Sequence, residues 1–144
     1  MKALGAVFVI LIAGCVLADN YSVERFSSGL SSSGFNAVIG DPVDQPFMEV
    51  QGRVVNINGN NIAQVFQYSD EKDAKRIEKT VSSNGSVIGK SSVLWKSPPR
   101  FYRKANVIVI YTGKDDDVAS GIESLIGKPF AGQAIDNQTA YSGN

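Results

Sequence analysis

Two β-rich runs, Met48 to Ile57 (MEVQGRVVNI) and Ile62 to Tyr68 (IAQVFQY), are joined by Asn58-Gly59-Asn60-Asn61. Asn-Gly supplies the positive φ angles that a tight hairpin turn demands, and the branched and aromatic residues on either side suit a pleated surface. This pairing commits the middle of the chain to antiparallel sheet. The remaining segments must then cover the sheet or extend it.

Several segments carry signals of their own. Asn106 to Tyr111 (NVIVIY) reads as a strand, with Val107, Val109 and Tyr111 pointing one way and Ile108 and Ile110 the other. Both faces of that strand therefore need cover. Ser69-Asp70 opens a helix over Glu71 to Val81, with Ala74, Ile77 and Val81 on one stripe. Asp115 to Asp117 cap a second helix that buries Val118, Ile122, Leu125 and Ile126 and is closed by Gly127 and Pro129. Val23, Phe26 and Leu30 recur at helical spacing, but five serines between Ser27 and Ser33 let the segment read equally as a linker. Phe35 to Ile39 is expected as a short strand ended by Gly40-Asp41-Pro42. Ser91 to Lys96 is expected as another, halted by Pro98 and Pro99, which cannot donate to a ladder. Asn84-Gly85 marks a turn.

Gln64 to Val81 and Val107 to Ile126 look alike, each passing from a strand ending in Tyr through an acidic cap into an amphipathic helix. The expected fold class is α+β: a two-layer sandwich of mainly antiparallel sheet with helices against one face, built from duplicated β-β-α units. The Ser-rich first helix, a partner protein or a second copy would cover the other face.

Composition narrows the chemistry. The 144 residues contain no histidine and a single cysteine, Cys15, with 14 basic and 14 acidic residues. His-dependent triads, His metal sites, Cys-cluster zinc sites and an intramolecular disulfide are excluded. A balanced charge gives no global field to recruit nucleic acid. No cofactor motif is present: Gly113-Lys114 lacks the glycine spacing of a phosphate loop, and Asp115 to Asp117 read as a helix start rather than a calcium loop.

The N-terminus carries an address. Lys2 precedes an uncharged run of eleven residues, Ala3 to Ala13, ending in Ile12-Ala13-Gly14-Cys15. A membrane span needs about 20 such residues and a signal-peptide core about 7 to 15, so the run suits a signal. Its end resembles the cleavage box of bacterial lipoproteins, in which the thiol of Cys15 takes diacylglycerol. The expected organisation is a signal peptide over 1–14, a tether over 15–22, one α+β domain over 23–130 and a flexible tail over 131–144. The membrane is then a partner through the N-terminal lipid. In a cell with two membranes, Val16 in place of the retaining aspartate favours the outer membrane, facing the periplasm. Cleavage after Val16-Leu17-Ala18 would instead yield an exported chain without Cys15.

Three further segments carry a family resemblance: Trp95-Lys96-Ser97-Pro98-Pro99-Arg100-Phe101-Tyr102, Val107 to Gly113, and Gly127-Lys128-Pro129-Phe130-Ala131-Gly132. They resemble a family of small bacterial lipoproteins whose pattern runs Trp-x-x-Pro-Pro-His-Phe-Tyr, a strand ending Tyr-x-Gly, a helix, and Gly-x-x-Phe-Ala-Gly. The likeness extends back through Pro46-Phe47, Val50 to Val54 and Gly85-Ser86-x-x-Gly89. Arg100 stands where many members carry His, which removes His chemistry from the motif here. The resemblance implies lipidation and one domain, and it implies no activity.

Within the motif, the Trp95-to-Lys104 segment is expected as a loop whose Lys96, Arg100, Tyr102 and Arg103 form a binding surface. Aromatic rings beside guanidinium groups grip carboxylates, sugars or peptides. The alternative is that Trp95 and Phe101 are core and the cations a solvated rim. The expected function is a lipid-anchored, non-catalytic binding module for an envelope protein or small ligand. An inhibitor of a secreted enzyme is one alternative, and a His-independent enzyme of Ser–Lys or carboxylate type is another. The enzyme predicts a concave site with a buried Lys beside Ser or converging carboxylates, and the other two predict a protruding loop.

Overall fold

The computed structural model describes residues 20–132. The apolar run, Cys15 and most of the expected tail lie outside them. The elements follow in the order α1 (Val23–Ser32), β1 (Ala37–Val43), a 3-10 turn at Pro46–Met48, β2 (Gly52–Ile57), β3 (Asn61–Gln67), α2 (Glu71–Glu78), β4 (Val87–Ile88), β5 (Ser91–Ser92), β6 (Arg100–Lys104), β7 (Val107–Tyr111), α3 (Asp116–Ile126) and β8 (Ala131–Gly132).

The fold is α+β, as expected. Six strands form one sheet in the order β1-β2-β3-β7-β6-β8, every pairing antiparallel, and β4 with β5 makes a separate two-stranded ribbon. Asn58 and Gly59 take φ of 54° and 80° in the turn that sets Ile57 opposite Asn61, so the hairpin forms where its turn residues require. The Ser-rich segment is a helix. Ser22 caps it by accepting from Arg25 N, and Val23, Phe26 and Leu30 drive it onto the sheet.

β7 has apolar partners on both faces, as its alternation demands. Val107, Val109 and Tyr111 join a core with Val55, Ile57, Ala63, Val65 and the inner faces of α1 and α3. Ile108 and Ile110 join a second core with Phe66, Phe101, Met48 and α2. Fully burying side chains of this size contributes about 1.5–3 kcal/mol each, so both cores are substantial.

The layering departs from the expectation. Helices lie on both faces: α1 beside α3 on one, and α2 with the 82–99 segment on the other. The cover for the second face is α2, and α1 shares a face with α3. The duplicated β-β-α units are not confirmed. β3 pairs with β7 antiparallel, so a rotation exchanging the two hairpins would keep their helices on one face, whereas α2 and α3 occupy opposite faces.

Other boundaries shift. β1 continues through Gly40-Asp41-Pro42 by means of a register shift between Ile39 and Pro42 rather than ending there. This edge is guarded: Ser27 Oγ donates to Ala37 O, and the Arg53 guanidinium donates twice to Gly40 O, at 3.1 and 2.7 Å. Capped carbonyls and a bulge discourage pairing with another strand. The expected strand at Ser91 to Lys96 survives only as β5. The body also starts earlier and ends later than expected, since Tyr21 and Ala131 are buried and Ala131–Gly132 pairs with β6.

Candidate functional site

The expected loop from Trp95 to Lys104 is a loop only as far as Pro99. From Arg100 the chain is strand β6, joined to β7 through Ala105 and Asn106, with Ala105 at φ 48°. The reason is local: Phe101 and Tyr102 are strong strand formers, and apolar β7 offers them a ladder. The four predicted surface residues are therefore split among three environments.

Arg100 and Tyr102 point beneath α3, and both are buried. Arg100 lies opposite Tyr111 in the register and reaches Asp116 at 3.3 Å, its own side chain 7% exposed against 72% for the aspartate. The Tyr111 hydroxyl donates to Asn61 Oδ1 at 2.8 Å and accepts from Asp115 N. Asp115 in turn caps α3 by accepting from Asp117 N and Val118 N, the helix-start role expected for the acidic run. Burial pushes the Tyr102 phenol up to about 12, with Glu123 and Tyr111 adding to that rise and Arg100 opposing it. Burial also raises Tyr111. The Tyr102 hydroxyl has no hydrogen-bond partner among the described residues.

Arg103 emerges on the opposite face. Its Nε donates to Glu78 at 2.7 Å, and its Nη1 reaches Glu71 and Ala105 O. The guanidinium thus fastens α2 across β6. An open depression of about 770 Å³ along the outside of α2 is lined by Glu71, Lys72, Asp73, Lys75, Arg76 and Lys79. Its charges largely pair with one another, Lys75 with Glu71 and Arg76 with both Asp73 and Glu49.

Of the four, only Lys96 is exposed, on an excursion from Ser82 to Pro99 in place of the expected turn at Asn84-Gly85 and strand over Ser91 to Lys96. Asn84 Oδ1 organises its base by accepting from Ser82 Oγ, Ser86 N and Ser86 Oγ. The Trp95 indole donates to Gly85 O at 2.8 Å and packs edge-on against Phe47 and Phe101, and Phe101 touches Phe130. A small cleft of about 330 Å³ lies between Ser83, Asn84, Pro98, Pro99 and Gly132.

The sequence motifs converge here. Gly132, at φ 89°, passes so close to the Pro99 carbonyl that a side chain would collide with backbone, and its N–H donates to Ser83 O. Gly113 leaves room for the Tyr111 hydroxyl to fold back over it. The Trp-x-x-Pro-Pro, Tyr-x-Gly and Phe-Ala-Gly signatures thus specify packing around β6.

Leu94, next to Trp95 in this segment, is 100% exposed, and Val87 is 38% exposed. Lys90 and Lys96 bracket Leu94 in sequence and form no ion pair among the described residues. A sequence signal marks this region: no Asp or Glu occurs between Glu78 and Asp115, a span of 36 residues holding seven cations.

Among the described residues no three Cys, Asp or Glu side chains cluster to hold a metal, and no Ser hydrogen-bonds a Lys. No described helix is long and apolar enough to cross a membrane. Comparison with protein-family models, curated proteins and solved structures finds no match to this chain.

Proposed function

We propose that this protein is an exported, lipid-anchored component of a bacterial envelope whose globular body works as a non-catalytic binding module. The observation that carries the reading is the box Ile12-Ala13-Gly14-Cys15, placed after an apolar run of signal length and holding the sole cysteine. The resemblance to small bacterial lipoproteins belongs to the same proposal, as does an outer-membrane position facing the periplasm.

The fold supports the reading through its starting point. Tyr21 is already built into the body: its N–H donates to Asn106 Oδ1, and its ring lies 5.1 Å from the Arg25 guanidinium and 5.3 Å from Lys104 Nζ. Six residue steps from Cys15 to Tyr21 reach at most about 20 Å. A domain of this size has a radius of gyration of about 13 Å, so a lipid on Cys15 would hold the body against the bilayer. Two or three acyl chains, each methylene contributing about 0.8 kcal/mol, suffice for stable anchoring.

The test is metabolic labelling with radioactive palmitate. Wild type is expected to incorporate label and sediment with membranes, and Cys15→Ser to do neither. Indifference of both readouts to the substitution would overturn the anchor.

A further inference from the structure

The chain enters the body at one end of the main sheet. Lys104, Val107 and Gln67 stand opposite one another there, beside the β6–β7 turn. Tyr21 N–H donates to Asn106 Oδ1 in that turn, and Val23 N–H donates to Gln67 Oε1. The other end carries the Asn58–Asn60 turn and the cross-strand row Val38–Asn56–Ile62, whose two apolar members are 54% and 47% exposed. Between the ends β3 takes six residue steps, from Asn61 to Gln67, or about 20 Å. Six steps from Cys15 to Tyr21 also reach at most about 20 Å. Anchored at Cys15, the body could bring the Asn58–Asn60 end to a bilayer only with this connection fully extended along the sheet, which conformational entropy opposes.

The entry end also carries cations. Arg25 and Lys104 both lie over the Tyr21 ring, and no carboxylate pairs with Lys104 among the described residues. Lys104 Nζ donates to Leu125 O in the last turn of α3, three residues before exposed Lys128. Of the carboxylates nearby, Glu24 lies in the first turn of α1, Asp70 caps α2, and Glu71 and Glu78 are held by Arg103. The acidic run Asp115 to Asp117 lies at the opposite end, where Asp115 meets the Tyr111 hydroxyl.

We propose that the entry end is the surface this protein sets against an anionic bilayer, with Lys104 and Lys128 toward lipid phosphates and the Val38–Ile62 row held away. The inference rests on the lipid-anchored reading above. The short connection sets the orientation. The lysines bias it, because attraction to an anionic surface is modest per charge and fades within a Debye length. The apolar row then faces the space beyond the membrane rather than the lipid.

The full chain, isolated as the cell processes it, is reconstituted on vesicles of phosphatidylethanolamine and phosphatidylglycerol that include a lipid with a nitroxide headgroup, which quenches a fluorophore at short range. Lipid on Cys15, the sole cysteine, leaves an introduced cysteine as the only free thiol. Single labels go on Ser69→Cys, next to Tyr68 at the entry end, and on Asn60→Cys in the distant turn, both exposed positions. The label at 69 is expected to lose its fluorescence and the label at 60 to keep it. Adding Lys128→Glu is expected to weaken the quenching at 69 while the protein still sediments with the vesicles. Lys128 is exposed, so circular dichroism of that variant should match wild type and confirm an intact fold. Quenching that is equal at the two positions, stronger at 60, or indifferent to Lys128→Glu overturns the proposal, and sedimentation of the same samples shows the anchor standing. Failure of the wild type to sediment would overturn the anchor, and the orientation with it.

Discussion

The side chain of Asn106 joins Tyr21 to Tyr68. It accepts from Tyr21 N at 2.7 Å and donates to Tyr68 O at 2.8 Å, and it is 2% exposed. The start of the body and the end of β3 are thereby tied to the tight β6–β7 turn. Asn106→Ala would leave a buried N–H and a buried carbonyl unsatisfied, at about 1–3 kcal/mol each. Chemical denaturation is expected to show a loss of about 2–5 kcal/mol for this variant, with proteolysis first near Tyr21. A loss under 1 kcal/mol would mean that water replaces the side chain.

Alkali should unfold this protein as its tyrosines ionise. Burial raises the phenols of Tyr21, Tyr68, Tyr102 and Tyr111, Tyr102 to about 12, so the folded state holds protons that the unfolded chain releases near 10. With more protons bound when folded, stability falls as pH rises from about 10 through the folded values. Phenolate absorbance is expected to rise together with loss of structure, in one transition. Tyr102→Phe removes a buried hydroxyl that has no partner. It should leave stability at neutral pH unchanged or raised by up to about 1–3 kcal/mol, and move the alkaline midpoint upward.

Gly132 closes β8 against β6 at a position no side chain fits. Gly132→Ala combines backbone strain at φ 89° with collision against the Pro99 carbonyl. The expected cost is about 1–3 kcal/mol by thermal melting, with hydrogen exchange at Gly132 N and Phe130 N accelerated. Gly59→Ala, with nothing near its Cβ, is the control that reads backbone strain without the collision.

The serines of α1 are expected to differ sharply. Ser27 is buried and donates to Ala37 O, so Ser27→Ala should cost about 1 kcal/mol and loosen the guarded edge of β1. Ser28 and Ser31 are exposed, and Ala is the better helix former, so their alanine variants should be neutral or stabilising by a few tenths of a kcal/mol. Urea midpoints of the three single variants make the comparison.

What could be read without coordinates was local. Asn58-Gly59 placed the hairpin, because few sequences tolerate two positive φ angles in succession. Alternation in Val107 to Tyr111 announced a strand covered on both faces, and Asp115 with Gly127 bounded α3, because caps satisfy backbone groups within one turn of the chain. The proposed cleavage box likewise lies in contiguous residues, Ile12 to Cys15.

Tertiary structure decided the rest. Arg100, Tyr102 and Arg103 share one short segment, yet strand alternation turns the first two beneath α3 and the third onto α2. The β6–β7 turn was hidden because Ala105-Asn106 lacks glycine, and its support comes from Tyr21 and Tyr68, far away in sequence. Ser91 to Lys96 has strand-forming residues but runs out of partner after β5, and the Trp95 bond to Gly85 draws it off the ladder, leaving Leu94 in solvent. Caps and turns are settled by neighbours a few residues apart. Burial and pairing depend on what another part of the chain brings alongside.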